Sequence, residues 1–265
     1  MEIKRANEVK IDELVAAFTA GFSDYIVPID TSREKFIAHI HYNDIDLARS
    51  FAAIDDGNTV GLTLSAIRGK MAWIGGMAVI PEHRGEGISK QLIEKQLQDL
   101  KEAGIEVVLL EVIDGNDKAR ELYIKTGFRD VRKLHCLAAE SIVRPKDAGL
   151  LDSHDIQLVD WKDIRPIYDN DACWQFEPSS LEKMSGLLCF KNENGYGVFT
   201  HNGQTLGIIS IKTSNHPASF MLKALEQGPV KNILANNVHD IKQIRQLKAI
   251  GFKEVLFQHE MELKL

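Results

Sequence analysis

The sequence predicts a mixed α/β layer fold built twice in tandem. Three observations carry this. Apolar periodicity in the first half switches between helix and strand in the order ααβββαβαβ. Short segments of that half recur later with the same turn residues. The composition, 44% hydrophobic and 26% charged, is that of a globular chain with a sizeable core. Length alone, 265 residues, allows one large domain or two small ones.

The elements follow in order. Ile11, Leu14, Val15, Phe18 and Phe22 stand at helical spacing, and a second helix begins at Thr31, with Glu34 closing a capping box. Phe51–Ile54, an Asp55-Asp-Gly-Asn turn and Val60–Ile67 read as a hairpin, followed by a strand over 71–80. Ile88, Leu92, Ile93, Leu97 and Leu100 form the apolar stripe of a helix ending near Gly104. Ile105–Ile113 is apolar enough to read as a central, doubly covered strand. Asn116 caps a short helix that Gly127 stops, and 128–137 is a closing strand.

The repeat is specific. Thr31–Lys35 aligns with Ser179–Lys183 at an offset of 148, Gly57–Gly61 with Gly203–Gly207 at 146, and Ile124–Phe128 with Lys248–Phe252 at 124. On this alignment the second copy lacks 22 residues, the strand 71–80 and the glycine loop after it. Residues 144–149 make a plausible linker, giving domains 1–145 and 150–265.

Composition also excludes partners. With 32 Lys+Arg against 38 Asp+Glu the net charge is -6, so nucleic acid is not expected as a partner. No apolar run approaches the ~20 residues of a membrane span, and the charged start MEIKRANEVK is not a signal-peptide core. No membrane partner and a cytoplasmic address are expected. Cys136, Cys173 and Cys189 are odd in number with no CxxC pair, which reads as reduced thiols.

The most informative segment is 77–90, where a strand passes a Pro turn and two glycines straight into a helix. That geometry aims consecutive backbone N–H groups at one point and binds phosphate or pyrophosphate. Gly85 and Gly87 permit close approach, and Arg84 is expected to add a fixed positive charge. The pattern is neither GxGxxG nor GxxxxGK[ST], which disfavours dinucleotide folds and P-loop nucleotidases.

The run Val79-Ile-Pro-Glu-His-Arg-Gly-Glu-Gly-Ile-Ser89 resembles the [QR]-x-x-G-x-[GA] acyl-CoA loop of the GCN5-related N-acetyltransferases (GNAT), with Arg84, Gly87 and Ser89 at its defined positions and Ser89 a mild departure. Asn116 through Phe128, with Leu122-Tyr123 and Gly127-Phe128, resembles the family's second motif. The resemblance covers residues 1–140. The second half retains neither the loop nor the Leu-Tyr pair and looks like a degenerate copy. The resemblance implies two tandem domains of mixed, mostly antiparallel sheet flanked by helices, and an enzyme that moves an acetyl group from acetyl-CoA to a primary amine. It further implies that Met77, Ala78 and Val79 pair with the pantetheine arm. The amides of Arg84, Gly85, Glu86, Gly87, Ile88 and Ser89 would then hold the pyrophosphate, and Tyr123 would protonate the departing thiolate with Asn116 nearby. No metal is implied.

The acceptor the resemblance implies is a small-molecule or peptide amine, of which only the neutral form would attack, so a base would matter most for a lysine-like amine of pKa about 10.4. Glu111 is the first candidate, with Asp24 and Asp114 as others. A non-catalytic acyl-CoA-binding or sensing module is the second reading, and monomer and homodimer are both compatible with the sequence. His39 and His41 have no third ligand and read as structural. Arg129, Arg132 and Lys133 read first as a solvated strand face and second as contacts to the cofactor's outer phosphate. Trp73, Trp161 and Trp174 read as packing residues.

Overall fold

The computed structural model describes residues 1–27, 32–143, 155–169, 171–214 and 216–265. In chain order it holds β1 (Glu2–Arg5), α1 (Ile11–Gly21), α2 (Arg33–Asn43), β2 (Phe51–Asp55), β3 (Asn58–Arg68), β4 (Met71–Val79), α3 (Ile88–Glu102), β5 (Val107–Ile113), α4 (Asp117–Lys125) and β6 (Arg129–Ala139). Then come β7 (Gln157–Val159), α5 (Trp161–Ile164), α6 (Pro178–Leu181), β8 (Leu187–Asn192), β9 (Gly195–Asn202), β10 (Thr205–Thr213), α7 (Ala218–Leu225), β11 (Asn232–Val238), α8 (Ile241–Ala249) and β12 (Lys253–Lys264). The chain divides into two compact units, Met1–Val131 with Glu260–Leu265, and Arg132–His259. This differs from a division at 145/150. Most of β6 belongs to the second unit, and the end of β12 belongs to the first. The expected linker 144–149 lies outside the described residues.

In the first unit β1 through β4 pair antiparallel in sequence order, and β5 joins β4 in parallel. The end of β12 lies with this unit, and the Leu265 N–H donates to the Glu106 carbonyl at 3.0 Å. β1 is absent from the sequence reading because four residues are too few to show alternation. Tertiary contacts hold it: Arg5 Nη2 lies 2.8 Å from the buried Asp99 carboxylate on α3, which also takes Arg49 Nη1 at 3.0 Å. The hairpin between β2 and β3 turns on Asp56 and Gly57, both at positive φ (46° and 80°), as a tight two-residue turn requires.

α2 is capped by Ser32, whose Oγ accepts from the Lys35 N–H; Thr31, the expected cap, lies outside the described residues. The second copy of that capping box is not there. α6 starts at Pro178 without a side-chain cap, and the Ser180 hydroxyl donates instead to the Trp174 carbonyl at 3.1 Å. The first unit's core lies on both faces of its sheet. Leu92, Ile93 and Leu100 of α3 and Tyr123 of α4 are buried on one face, and Leu14 and Phe18 of α1 with Phe36 of α2 on the other.

In the second unit β7 to β10 pair antiparallel in sequence order, β11 joins β10 in parallel, and β6 pairs antiparallel with β11. The parallel pairing makes β10 the counterpart of β4. The strand predicted to be missing is therefore present, and the turn at Gly203 (φ 59°) answers the turn at Gly69 (φ 60°), not the one at Gly57. What is shorter is the link between strand and helix, four residues (214–217) against eight (80–87), and the helix, eight residues in α7 against fifteen in α3. Among the described residues no helix is long and apolar enough to cross a membrane.

Candidate functional site

A single extra residue in β4 creates the opening. Leu64 pairs with Gly76 but Ser65 with Ile74, so Gly75 is bulged out of the ladder with β3. Only glycine fits there, because a Cβ would come within 2.5 Å of the Trp73 ring. The parallel ladder to β5 runs from Met71↔Val107 to Ile74↔Leu110 and stops there, although β4 continues to Val79 and β5 to Ile113. Past the bulge the two strands part. Met77, Ala78 and Val79, the residues expected along a pantetheine arm, line the β4 side of that gap. The Gly75-Gly76 pair inside a strand was the sequence signal for the bulge.

Beyond β4 the chain makes one turn at Pro81–His83, then Gly85 (φ 86°) and Gly87 (φ 81°) swing it into α3, with Gly87 as the N-cap. The first i−4 bond of the helix is Gln91 N–H to Gly87 carbonyl at 3.1 Å, so the N–H groups of Ile88, Ser89 and Lys90 have no acceptor within the helix. A Cβ on either glycine meets nothing within 4 Å. The loop is thus an exposed cradle of amides at the positive end of a fifteen-residue helix, which fits a pyrophosphate in an acidic protein. Glu86 points elsewhere, with its carboxylate 3.3 Å from His83 Nδ1.

Arg84 departs from expectation. Its guanidinium is held by Asp24 through two hydrogen bonds of 2.6 and 2.8 Å, while Nη2 also donates to the Gly21 carbonyl (2.9 Å) and Nε to the Val79 carbonyl (3.1 Å). Its own N–H is used on the Pro81 carbonyl at 3.2 Å. Arg84 therefore fastens the loop to the end of α1, and the amides after it supply the anion cradle. Asp24 is removed as a base for the same reason, since the Arg84 hydrogen bond holds its carboxyl below the usual carboxylate range.

Tyr123 is buried, in a cluster with Ile74, Leu110 and Val112. The backbone fixes it: Phe128 N–H donates to the Tyr123 carbonyl (3.0 Å) and Gly127 N–H to that of Ile124 (3.0 Å), a Schellman cap with Gly127 at φ 98° and the Phe128 ring 5.8 Å from the phenol ring. This is the physical content of the Tyr-x-x-x-Gly-Phe spacing. Burial pushes the phenol far above its ordinary range, so it keeps its proton. Asn116 caps α4, its Oδ1 accepting from the Ala119 N–H at 3.3 Å. It also hydrogen-bonds Tyr25, a half-buried residue the sequence reading passed over, whose pKa is raised by burial and lowered by that bond.

Glu111 follows Leu110, where the β4–β5 ladder ends, and points to the sheet face opposite the Tyr123 cluster. Its Oε2 accepts from Trp73 Nε1 at 2.7 Å, so Trp73 spans the two strands as well as packing. Asp114 is exposed. Arg129 pairs with Glu262 (2.9 Å), Arg132 with Asp171 (2.8 Å), and Lys133 lies 4.1 Å over the Phe257 ring, the structural reading for all three.

The second unit repeats the frame without the glycine loop or the tyrosine. Its β10 is bulged at Ile209, and its ladder to β11 likewise stops after four pairs, at Ile208↔Ala235. A cavity of about 350 Å³ lies there, lined by Ile209, Ile211 and Phe176 and by the polar Asp169, Lys212 and His239. Gly251 (φ 106°) and Phe252 form the same helix cap, but Leu247 stands where Tyr123 stands in the first unit, and Pro217 starts α7 with no glycine loop before it.

The model of the "Acetyltransferase (GNAT) family" matches residues 12–128. An uncharacterized N-acetyltransferase of Archaeoglobus fulgidus is 30% identical over 139 residues, 49% of this chain and 93% of that protein. N-alpha-acetyltransferase 30 of Schizosaccharomyces pombe is 28% identical over 94 residues, 32% of this chain and 61% of its own length. A tandem GNAT protein from the clavulanic acid biosynthesis pathway, solved without AcCoA, matches 99% of this chain and 98% of its own with a TM-score of 0.70 at 10% identity, a likeness of fold. With a matched family region over the bulged strand, the glycine loop and the tyrosine helix, the chain belongs to the GNAT acetyltransferases.

Proposed function

We propose that the first unit is an acetyl-CoA-dependent N-acetyltransferase that acetylates a primary amine by direct attack on the thioester. The observation that carries this is the end of the β4–β5 ladder at Ile74 and Leu110. From there β4 runs on into the amide cradle at α3, Tyr123 is buried in the cluster of Ile74 and Leu110, and Glu111 follows Leu110 on the opposite sheet face. The donor supplies an activated acyl carbon: the amine nitrogen bonds to it, the C–S bond breaks, the amine loses a proton and the thiolate gains one. The amides of Gly85 to Ser89 hold the pyrophosphate, and β4 past its bulge lines the pantetheine arm. Tyr123 gives the proton to the thiolate. Its phenol and an ordinary thiol of pKa about 8.5 are both raised by the same desolvation, which keeps the transfer within reach. Glu111, at the opposite side of the gap, takes the amine's proton directly or through water.

Cytoplasmic residence goes with this reading and is supported by three buried, unbridged cysteines. The test mixes the protein with acetyl-CoA and a panel of α-amines and lysine-like amines and follows free thiol. Titration calorimetry with acetyl-CoA runs alongside. Donor binding with amine-dependent thiol release is expected. Binding without transfer to any amine would make this a sensing module, and absence of both would end the proposal.

A further inference from the structure

The bulge that opens the site leaves one peptide carbonyl outside the sheet, and α2 supplies its partner. His39 Nε2 lies 2.8 Å from the Gly75 carbonyl oxygen. Asn43, one helical turn on, places its Nδ2 3.1 Å from His39 Nδ1 and 3.0 Å from the His39 carbonyl oxygen. These contacts determine the protons. Both carbonyl oxygens can only accept, so Asn43 presents its NH₂ to the ring, Nδ1 accepts, and Nε2 carries the hydrogen that it donates to Gly75. Burial, which lowers the pKa of His39, favours the same neutral form. The Trp73 ring meets the imidazole edge-on at 5.8 Å and fills the space beside Gly75.

With both ring nitrogens engaged, His39 is not available as a base. We infer that His39 is a positioning residue for acyl-donor binding: with Asn43 fixing its tautomer, it holds the Gly75 carbonyl out of the ladder and so sets where β4 parts from β5. The bulge takes this half-buried carbonyl out of the ladder, and its donor comes from α2, outside the glycine loop and the tyrosine helix. Losing the donor frees the Gly75 peptide to reorient within the bulge, which shifts β4 at the point where it lines the gap that receives the pantetheine arm. This rests on the donor-binding part of the proposed function and adds to it a residue outside the loop and α4.

The experiment compares His39→Leu, His39→Gln and the unmodified protein. Nitrogen-15 imidazole spectra of the unmodified protein should show the neutral Nε2–H tautomer for His39. In His39→Leu the amide signals of Gly76 and Met77 should move. KM and Kd for acetyl-CoA should rise roughly tenfold, with kcat changed much less, as expected for loss of one half-buried hydrogen bond. Glutamine, whose amide N–H can reach the same carbonyl, should restore most of the affinity. The Nδ1–H tautomer, or unchanged donor affinity in a folded His39→Leu, would overturn the inference. A general loss of fold in both variants with no rescue by glutamine would reduce His39 to a core residue. If the unmodified protein binds no acetyl-CoA, the proposed function fails separately, and the tautomer and amide signals still report whether His39 sets the bulge.

Discussion

Arg84 and Asp24 lie sixty residues apart in sequence and form a two-point ion pair, with N–O distances of 2.6 and 2.8 Å, that fastens the glycine loop to the end of α1. The arginine of the motif therefore acts on the loop's position. Asp24→Asn should weaken acetyl-CoA binding roughly three- to tenfold and leave the melting temperature nearly unchanged, because the pair is largely exposed. Because the pair lowers the folded-state pKa of Asp24, its contribution is fully present above the ordinary carboxylate range and disappears only as pH falls through the lowered value. Donor affinity from this source should be flat between about pH 5 and 8. Calorimetry of the variant across that range is the check, and unchanged affinity would mean that the loop holds itself.

A Cβ at Gly87 meets nothing within 4 Å, but Gly87→Val places a β-branched residue at φ 81° and a side chain in the anion cradle. The variant should fold, as read by circular dichroism, and show no measurable acetyl-CoA binding. Retained binding would move the pyrophosphate site elsewhere.

Tyr123→Phe should lower turnover by roughly two to four orders of magnitude and leave donor affinity almost intact. Because burial raises the phenol far above its usual range, it holds its proton through neutral and mildly alkaline pH. The rate of thiol release should therefore climb from pH 6 to 9 as the amine deprotonates, without a falling limb. A decline beginning below pH 9 would assign the acid to another group.

Asp99 is the buried centre of a three-residue ion cluster with Arg5 and Arg49, which are about two-fifths exposed. Asp99→Ala removes the shared acceptor and frees β1 from α3. Urea unfolding should show a loss of about 2 kcal/mol, towards the low end for broken buried pairs because both arginines reach water. A loss under about 0.5 kcal/mol, the range of ordinary surface substitutions, would show that β1 is held by its ladder and its other contacts without Asp99.

Much of the site was legible as a string of residues. The two glycines, the Asn116 cap and the Tyr123 to Phe128 spacing each encode a local backbone event, a positive φ, a first-turn bond or a helix stop, and such events need only near neighbours. The repeat was legible for the same reason, and it was misaligned for the same reason. A Gly-x-Thr-x-Gly turn marks a hairpin without saying which one, and only the parallel ladder between β10 and β11 identifies β10 as the counterpart of β4. What depends on residues far apart in the chain was decided by the tertiary structure: the side chain that occupies Arg84, the imidazole that receives the Gly75 carbonyl, and the unit to which Glu260–Leu265 belongs. Local sequence determines backbone geometry because its energies act within one turn. Partners across the sheet are chosen by packing and by the need to satisfy every buried polar group, which no local pattern records.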